Sequence, residues 1–143
     1  MGKSRQGVRV FLDSSVILSA CRSERSLSRL ITVIASERRW ELVSAAYCRA
    51  ETIKNLAKFP NQASAHWQDL QARIEWVPNA LTTQRPLLLT ASKDKPVLIS
   101  ALAAQCLELL TLDSGDFGIV LGTEVYGMRV STPRDFLVHA GLG

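Results

Sequence analysis

Short apolar runs typical of β-strands alternate along this chain with stretches that have helical periodicity. Residues 8–12 (VRVFL) are rich in β-branched and aromatic side chains and run into Asp13, which predicts a buried strand. Further strands are predicted at 40–44, 74–77, 107–112 and 128–131. Helices are predicted at 26–38, 45–58, 61–73, 94–105 and 134–139. The alternation predicts a three-layer α/β/α sandwich with a mainly parallel sheet of about five strands.

Length and composition predict one cytoplasmic domain over residues 1–143, with an irregular connection at 79–93. Hydrophobic residues make up 47% and charged residues 21%, and no apolar run approaches the roughly 18 residues of a membrane span. Cys21, Cys48 and Cys106 are widely spaced among apolar residues, which predicts reduced thiols in the core. The net charge of +4 and the pI near 9.3 suit a polyanionic partner such as nucleic acid.

Acidic residues stand where a parallel sheet would bring them to one edge. Asp13 and Asp113 follow predicted strands, and in open α/β sheets the ligand crevice lies beyond the carboxyl ends of the strands. Asp94 opens a predicted helix, Glu51 lies about one and a half turns into another, and Asp116 is a nearby fifth acid. Each one alone could be a turn former, a helix cap or a solvated residue. The inference of a site therefore depends on their combination.

A cluster of carboxylates predicts a metal site. Like charges that lie close together are unfavourable unless a cation neutralises them. Oxygen ligands without histidine or thiolate specify Mg²⁺ or Mn²⁺ in preference to zinc. One or two such ions would activate water and stabilise a phosphoryl leaving group. The chemistry that these residues predict is phosphodiester hydrolysis.

Three segments of the chain carry recognisable motifs. FLDSSVILSA (11–20) has an aspartate at the end of a strand, followed by small polar residues and an aliphatic pair. KDKPVLISALAAQCLELLTLDSGDFG (93–118) has an aspartate that opens an alanine-rich helix, then a strand that ends in Thr-x-Asp. RVSTPRDFL (129–137) has a Thr-Pro-x-x-Phe-Leu pattern. Together they resemble the PIN-domain family over nearly the whole chain, most weakly between residues 58 and 92.

The resemblance implies a PIN-like fold and a metal-dependent endoribonuclease that hydrolyses RNA phosphodiester bonds. The catalytic residues that it implies are Asp13, Glu51, Asp94 and Asp113, with the metal bound by Asp13, Asp94 and Asp113. The auxiliary residues are Asp116, Thr111 and Ser15, the last at a position where the family frequently has asparagine. The resemblance further implies the toxin of a VapC-like toxin–antitoxin pair, with an RNA substrate, an antitoxin partner and a homodimer.

Other functions remain open at this point. A stand-alone RNA-processing nuclease would share the same motifs. A non-catalytic PIN-like module that binds RNA or protein could retain the acids without competent metal binding. A phosphate-receiver domain would need an acidic pair after the first strand and a lysine after the last, and the DSS and STP segments supply neither. Five arginines (Arg22, Arg25, Arg29, Arg38 and Arg39) could line an RNA path, although a solvated helix face is the commoner reason for such residues.

Overall fold

The fold is a mainly parallel β-sheet with helices on both faces. A computed structural model describes residues 7–59, 61–80, 95–118 and 120–142. Its elements in chain order are β1 Val8–Leu12, α1 Ser14–Arg22, α2 Leu27–Arg38, β2 Trp40–Ala45, α3 Ala46–Leu56, α4 Asn61–Arg73, β3 Glu75–Val77, α5 Lys95–Ala103, β4 Glu108–Leu110, α6 Ser114–Phe117, β5 Glu124–Val125, β6 Met128–Ser131 and α7 Pro133–His139.

The described strands form one sheet of six in the order β3-β2-β1-β4-β6-β5. β1 lies at its centre, parallel to β2 on one side and to β4 on the other. The predicted parallel pairing is confirmed for every neighbouring pair except β5 and β6, which run antiparallel. β5 has only two residues and was not predicted from the sequence. Tyr126 and Gly127, both at positive φ, form the tight turn that joins it to β6.

Two hydrophobic cores on opposite faces of the sheet establish the three layers. Val10 and Leu12 of β1 point into a core shared with α1, α2, α4 and α7. Phe11, between them, points into a core shared with α5 and α6. Because successive side chains of a strand point to opposite faces, the VRVFL run supplies both cores at once. The predicted α/β/α sandwich is confirmed, and its fold is PIN-like.

Most predicted elements are confirmed, with shifted ends. The strand predicted at 107–112 is shorter, so Asp113 lies three residues beyond the end of β4. The helix predicted at 94–105 is observed as α5, while Asp94 and most of the connection predicted at 79–93 lie outside the described residues. The three cysteines are buried and free, as predicted. No helix within the described ranges is long and apolar enough to cross a membrane.

Helix α1 was not predicted, although it begins directly after Asp13. Its sequence SSVILSACR starts with two serines and contains β-branched residues, which have modest helix propensity. The helix is stabilised instead by burial, because Val16, Ile17, Ala20 and Cys21 are almost fully enclosed in the core.

Candidate active site

A pocket of about 300 Å³ opens where β1 and β4 end. Since these two strands are neighbours, the residues that follow them meet at one edge of the sheet. We call it the acid pocket; its lining residues are Asp13, Ser14, Ser15, Leu18, Tyr47, Glu51, Thr52, Asn55, Val97, Asp113 and Phe117. The structure thus brings three of the predicted catalytic acids to one cavity.

Asp13 is the most enclosed of these acids, with only 6% of its surface exposed. It occupies the N-cap position of α1, but its carboxylate makes no side-chain cap bond to the helix. Its Oδ2 instead accepts a hydrogen bond of 2.8 Å from Thr111 Oγ1 and one of 2.9 Å from Ser15 Oγ. The Asp13 carboxylate is therefore fixed by hydroxyl groups from two separate parts of the chain.

Backbone amides after β4 orient both hydroxyl groups. Thr111 Oγ1 accepts the amide proton of Asp113 at 3.0 Å, and Ser15 Oγ accepts that of Leu112, also at 3.0 Å. Because each oxygen accepts an amide proton, its own proton is available to Asp13. The segment after β4 and the start of α1 are thereby connected through Asp13.

Glu51 faces the same pocket from α3. Ser14 Oγ donates a short hydrogen bond to Glu51 Oε1, which fixes this carboxylate beside the first turn of α1. One turn later, the Asn55 side-chain amide donates to the Glu51 carbonyl oxygen at 2.9 Å. Ser14 and Asn55 were not among the residues predicted from the sequence. The position of Asn55, four residues after Glu51 on one helix face, was the available signal for it.

Burial is the main influence on the charge of Asp13. Loss of solvent raises the pKa of its carboxyl group, and the hydrogen bonds from Thr111 and Ser15 lower it again in part. The nearby charge of Glu51 raises the pKa further. An ionised Asp13 beside Glu51 is therefore unfavourable, and a bound cation would relieve this cost.

The structure describes the side chain of only one of the remaining predicted acids. Asp113 is half-buried and lines the acid pocket. Asp94 lies outside the described residues, and Asp116 falls within α6 but its side chain is not described. Within the described part of the chain, no three His, Cys, Asp or Glu side chains are grouped closely enough to hold a metal ion.

The chemistry of the lining residues suits a hard cation. Among the described residues that line the acid pocket, all of the charged groups are carboxylates, the other polar groups are hydroxyls and one amide, and neither histidine nor cysteine is present. Carboxylate oxygens of this kind are the ligands that Mg²⁺ and Mn²⁺ prefer. The donor set therefore fits the predicted metal in type.

Comparison with known proteins adds a likeness of fold. The sequence matches no family model and no curated protein. Among solved structures, it is similar to a chain in the crystal structure of VapBC2 from Rickettsia felis bound to a DNA fragment from their promoter. The two share 11% sequence identity with a TM-score of 0.60, over 87% of this chain and 98% of that chain. At this identity the likeness concerns the fold alone, and this α/β fold is PIN-like.

Proposed function

We propose that this chain is a metal-dependent endoribonuclease that hydrolyses RNA phosphodiester bonds. One observation carries the proposal: a nearly buried carboxylate, Asp13, shares a pocket with Glu51 and Asp113. A protein gains nothing in stability from gathering such charges, since their repulsion and desolvation are unfavourable. A buried acid with a raised pKa in a cleft, as Asp13 is, is therefore a reason to infer a functional site.

The proposed metal ligands are Asp13, Asp94 and Asp113, all of them hard oxygen donors for Mg²⁺ or Mn²⁺. When bound, such an ion would supply Lewis-acid chemistry and the activation of water. Val97 of α5 lines the acid pocket, and Asp94 directly precedes the first residue of that helix. Asp94 is included among the proposed ligands because it lies only three positions before Val97 in the sequence.

The other residues of the pocket would position the reacting groups. Thr111 and Ser15 hold Oδ2 of Asp13, which limits the rotation of that carboxylate. Ser14 occupies Oε1 of Glu51, so we assign Oε2 as the atom that accepts a proton from the attacking water.

The proposal extends to the toxin of a VapC-like toxin–antitoxin pair, with an antitoxin partner and a homodimeric state. Its support is the motif resemblance together with a fold shared with a chain of the VapBC2 complex. A small neighbouring gene whose product begins with a DNA-binding segment is expected, and co-expression of that product should relieve the growth arrest that the toxin causes.

A second candidate is a non-catalytic PIN-like module that binds RNA or protein. The observation that favours it is the lack of any three grouped metal-binding side chains within the described ranges. The two functions differ in one measurable property, which is metal-dependent cleavage.

The test is cleavage of structured and single-stranded RNA by the purified chain with Mg²⁺ or Mn²⁺. The variants expected to lose most activity are Asp13→Asn, Asp94→Asn and Asp113→Asn, with Glu51→Gln severe and Asp116→Asn milder. Asp69→Asn is the matched control, because Asp69 is an exposed acid that pairs with Arg73 on α4. Undiminished cleavage in excess EDTA would remove the metal mechanism. No cleavage with either metal would favour the binding module.

A further inference from the structure

We infer that a groove along α1 leads from the acid pocket to a second pocket that binds another phosphate of the same RNA strand. This second pocket, called here the cationic pocket, has a volume of about 390 Å³. Its lining residues are Cys21, Arg22, Glu24, Arg29, Ala65 and His66. This inference rests on the proposed function, because the RNA strand bound in the groove is the strand that the acid pocket would cut.

Both pockets open on the same face of α1. Ser14, Ser15 and Leu18 line the acid pocket, and Cys21 and Arg22 line the cationic pocket. At 3.6 residues per turn, these five positions fall within an arc of about 120° of the helix. The rise of 1.5 Å per residue places the far end of this stripe about 12 Å along the helix from Ser14.

The segment that begins on α3 connects the two pockets. Asn55 lines the acid pocket, and its Oδ1 accepts a hydrogen bond of 3.1 Å from Lys58 Nζ. Phe59 follows, and the guanidinium of Arg22 lies 4.5 Å from the centre of its ring. A path from the acids therefore passes Asn55, Lys58 and Phe59 before it reaches the cationic pocket at Arg22.

The charge of the cationic pocket suits a phosphate group. Its described lining has two guanidinium groups and one carboxylate, that of Glu24. Arg29 is held in place because its guanidinium donates to the carbonyl oxygens of Ala20 and Cys21. The salt bridges found within the described ranges involve neither Arg22 nor Arg29, so no described carboxylate lies within ion-pair distance of either guanidinium.

An RNA strand explains both pockets better than an acidic peptide does. One phosphate would lie at the acid pocket together with the metal, and the next phosphates would follow the α1 groove toward Lys58 and Arg22. The ring of Phe59, partly exposed beneath a guanidinium, also offers a stacking surface of the kind that single-stranded nucleic acids use.

The test is the affinity of the full chain for a fluorescent single-stranded RNA of about 10 nucleotides. Binding is measured by anisotropy in EDTA, where the proposed cleavage cannot occur, over a range of salt concentrations. Arg22→Gln and Lys58→Gln should each weaken binding roughly threefold to tenfold, and should each lower the salt-dependence slope by about 0.7. Arg22→Lys should keep the wild-type slope because the positive charge remains.

Arg49→Gln is the matched control. Arg49 lies on the opposite face of α3, where its guanidinium lies 5.9 Å from the Trp76 ring. The inference that RNA binds in this groove is contradicted if Arg22→Gln and Lys58→Gln bind RNA like the wild type, or if Arg49→Gln weakens binding equally. It is also overturned if the chain binds polyglutamate through Arg22 but binds no RNA. Selective loss of RNA binding without any cleavage activity would support the groove while contradicting the proposed nuclease.

Discussion

Replacing Thr111 by valine would test how Asp13 is held in place. Thr111 is fully buried, and its hydroxyl donates to Asp13 Oδ2 at 2.8 Å while accepting the Asp113 amide proton at 3.0 Å. Valine has nearly the same shape, so packing is conserved while both hydrogen bonds are lost. The buried Asp13 carboxylate then loses a donor, and the Asp113 amide loses its acceptor.

The expected effect follows from the two hydrogen bonds. A hydrogen bond to a charged group contributes about 1.5–3 kcal/mol to stability, and one between neutral groups about 1 kcal/mol. Thr111→Val should therefore lower the free energy of unfolding by about 2.5–4 kcal/mol. Thr32→Val is the control, because Thr32 is also buried but its hydroxyl donates only to the Arg29 carbonyl of its own helix. That carbonyl keeps its helical bond, so we expect a loss below about 1 kcal/mol.

The effect of Thr111→Val should also depend on pH. Burial raises the pKa of Asp13 above its ordinary value of 3.8, so the folded state binds this proton more tightly than the unfolded chain does. The resulting stability is fully present below pH 3.8 and is lost as the pH rises through the folded pKa. Thr111 lowers that pKa, so its removal raises it again. The added destabilisation should appear above the folded pKa and vanish in acid.

Urea denaturation in EDTA measures the free energy of unfolding, and repeating it at a series of pH values gives the pH dependence of that free energy. The Thr111→Val difference should grow with pH, and the Thr32→Val difference should stay constant. The reasoning is refuted if the two variants lose the same free energy at every pH, since Thr111 would then not stabilise the Asp13 carboxylate.

Three further results are expected. Gly118→Ala should lower the free energy of unfolding, measured by urea titration, by about 1–3 kcal/mol, because a Cβ there would lie 2.6 Å from the Ser114 carbonyl oxygen. Gly115→Ala should lower it less, because the nearest contact of a Cβ there is at 3.5 Å. Mn²⁺ at a hundredfold excess over its dissociation constant should stabilise the wild type by on the order of 3 kcal/mol in melting curves, and Asp113→Asn far less. Burial raises the pKa of Cys48 to about 12, so its thiol should react with Ellman's reagent only after unfolding; prompt reaction of the native protein would contradict its burial.

Local sequence patterns were sufficient for most elements of the fold. The β1 run and the helix at α2 carry strong periodic signals, and the structure has both within a residue of the predicted ends. Helix α1 was missed because its serines and β-branched residues have weak intrinsic preference and its stability comes from packing. Strand β6 was predicted at its observed bounds, but β5 was missed because two paired residues leave no periodic pattern to detect.

Some residues of the candidate site were also predictable from the sequence, and others were not. The sequence pointed to Asp13, Glu51 and Asp113 by their positions, and the structure places all three around the acid pocket. Ser14 could not be assigned to Glu51, because 37 residues separate them and their contact depends on how α1 packs against α3. The roles of Lys58 and Arg22 also depend on which helix faces meet.

What the sequence by itself determined is most of the elements and the acids that follow or begin them. Apolar runs that end in aspartate predict strands followed by a carboxylate at the sheet edge. A set of ligands with only oxygen donors predicts a hard cation. Only the tertiary structure decided that β4 lies beside β1, which brings Thr111 to Asp13 across 98 residues of chain. Strand order is a property of packing over the whole chain, because the burial of both sheet faces selects it and no local pattern encodes it.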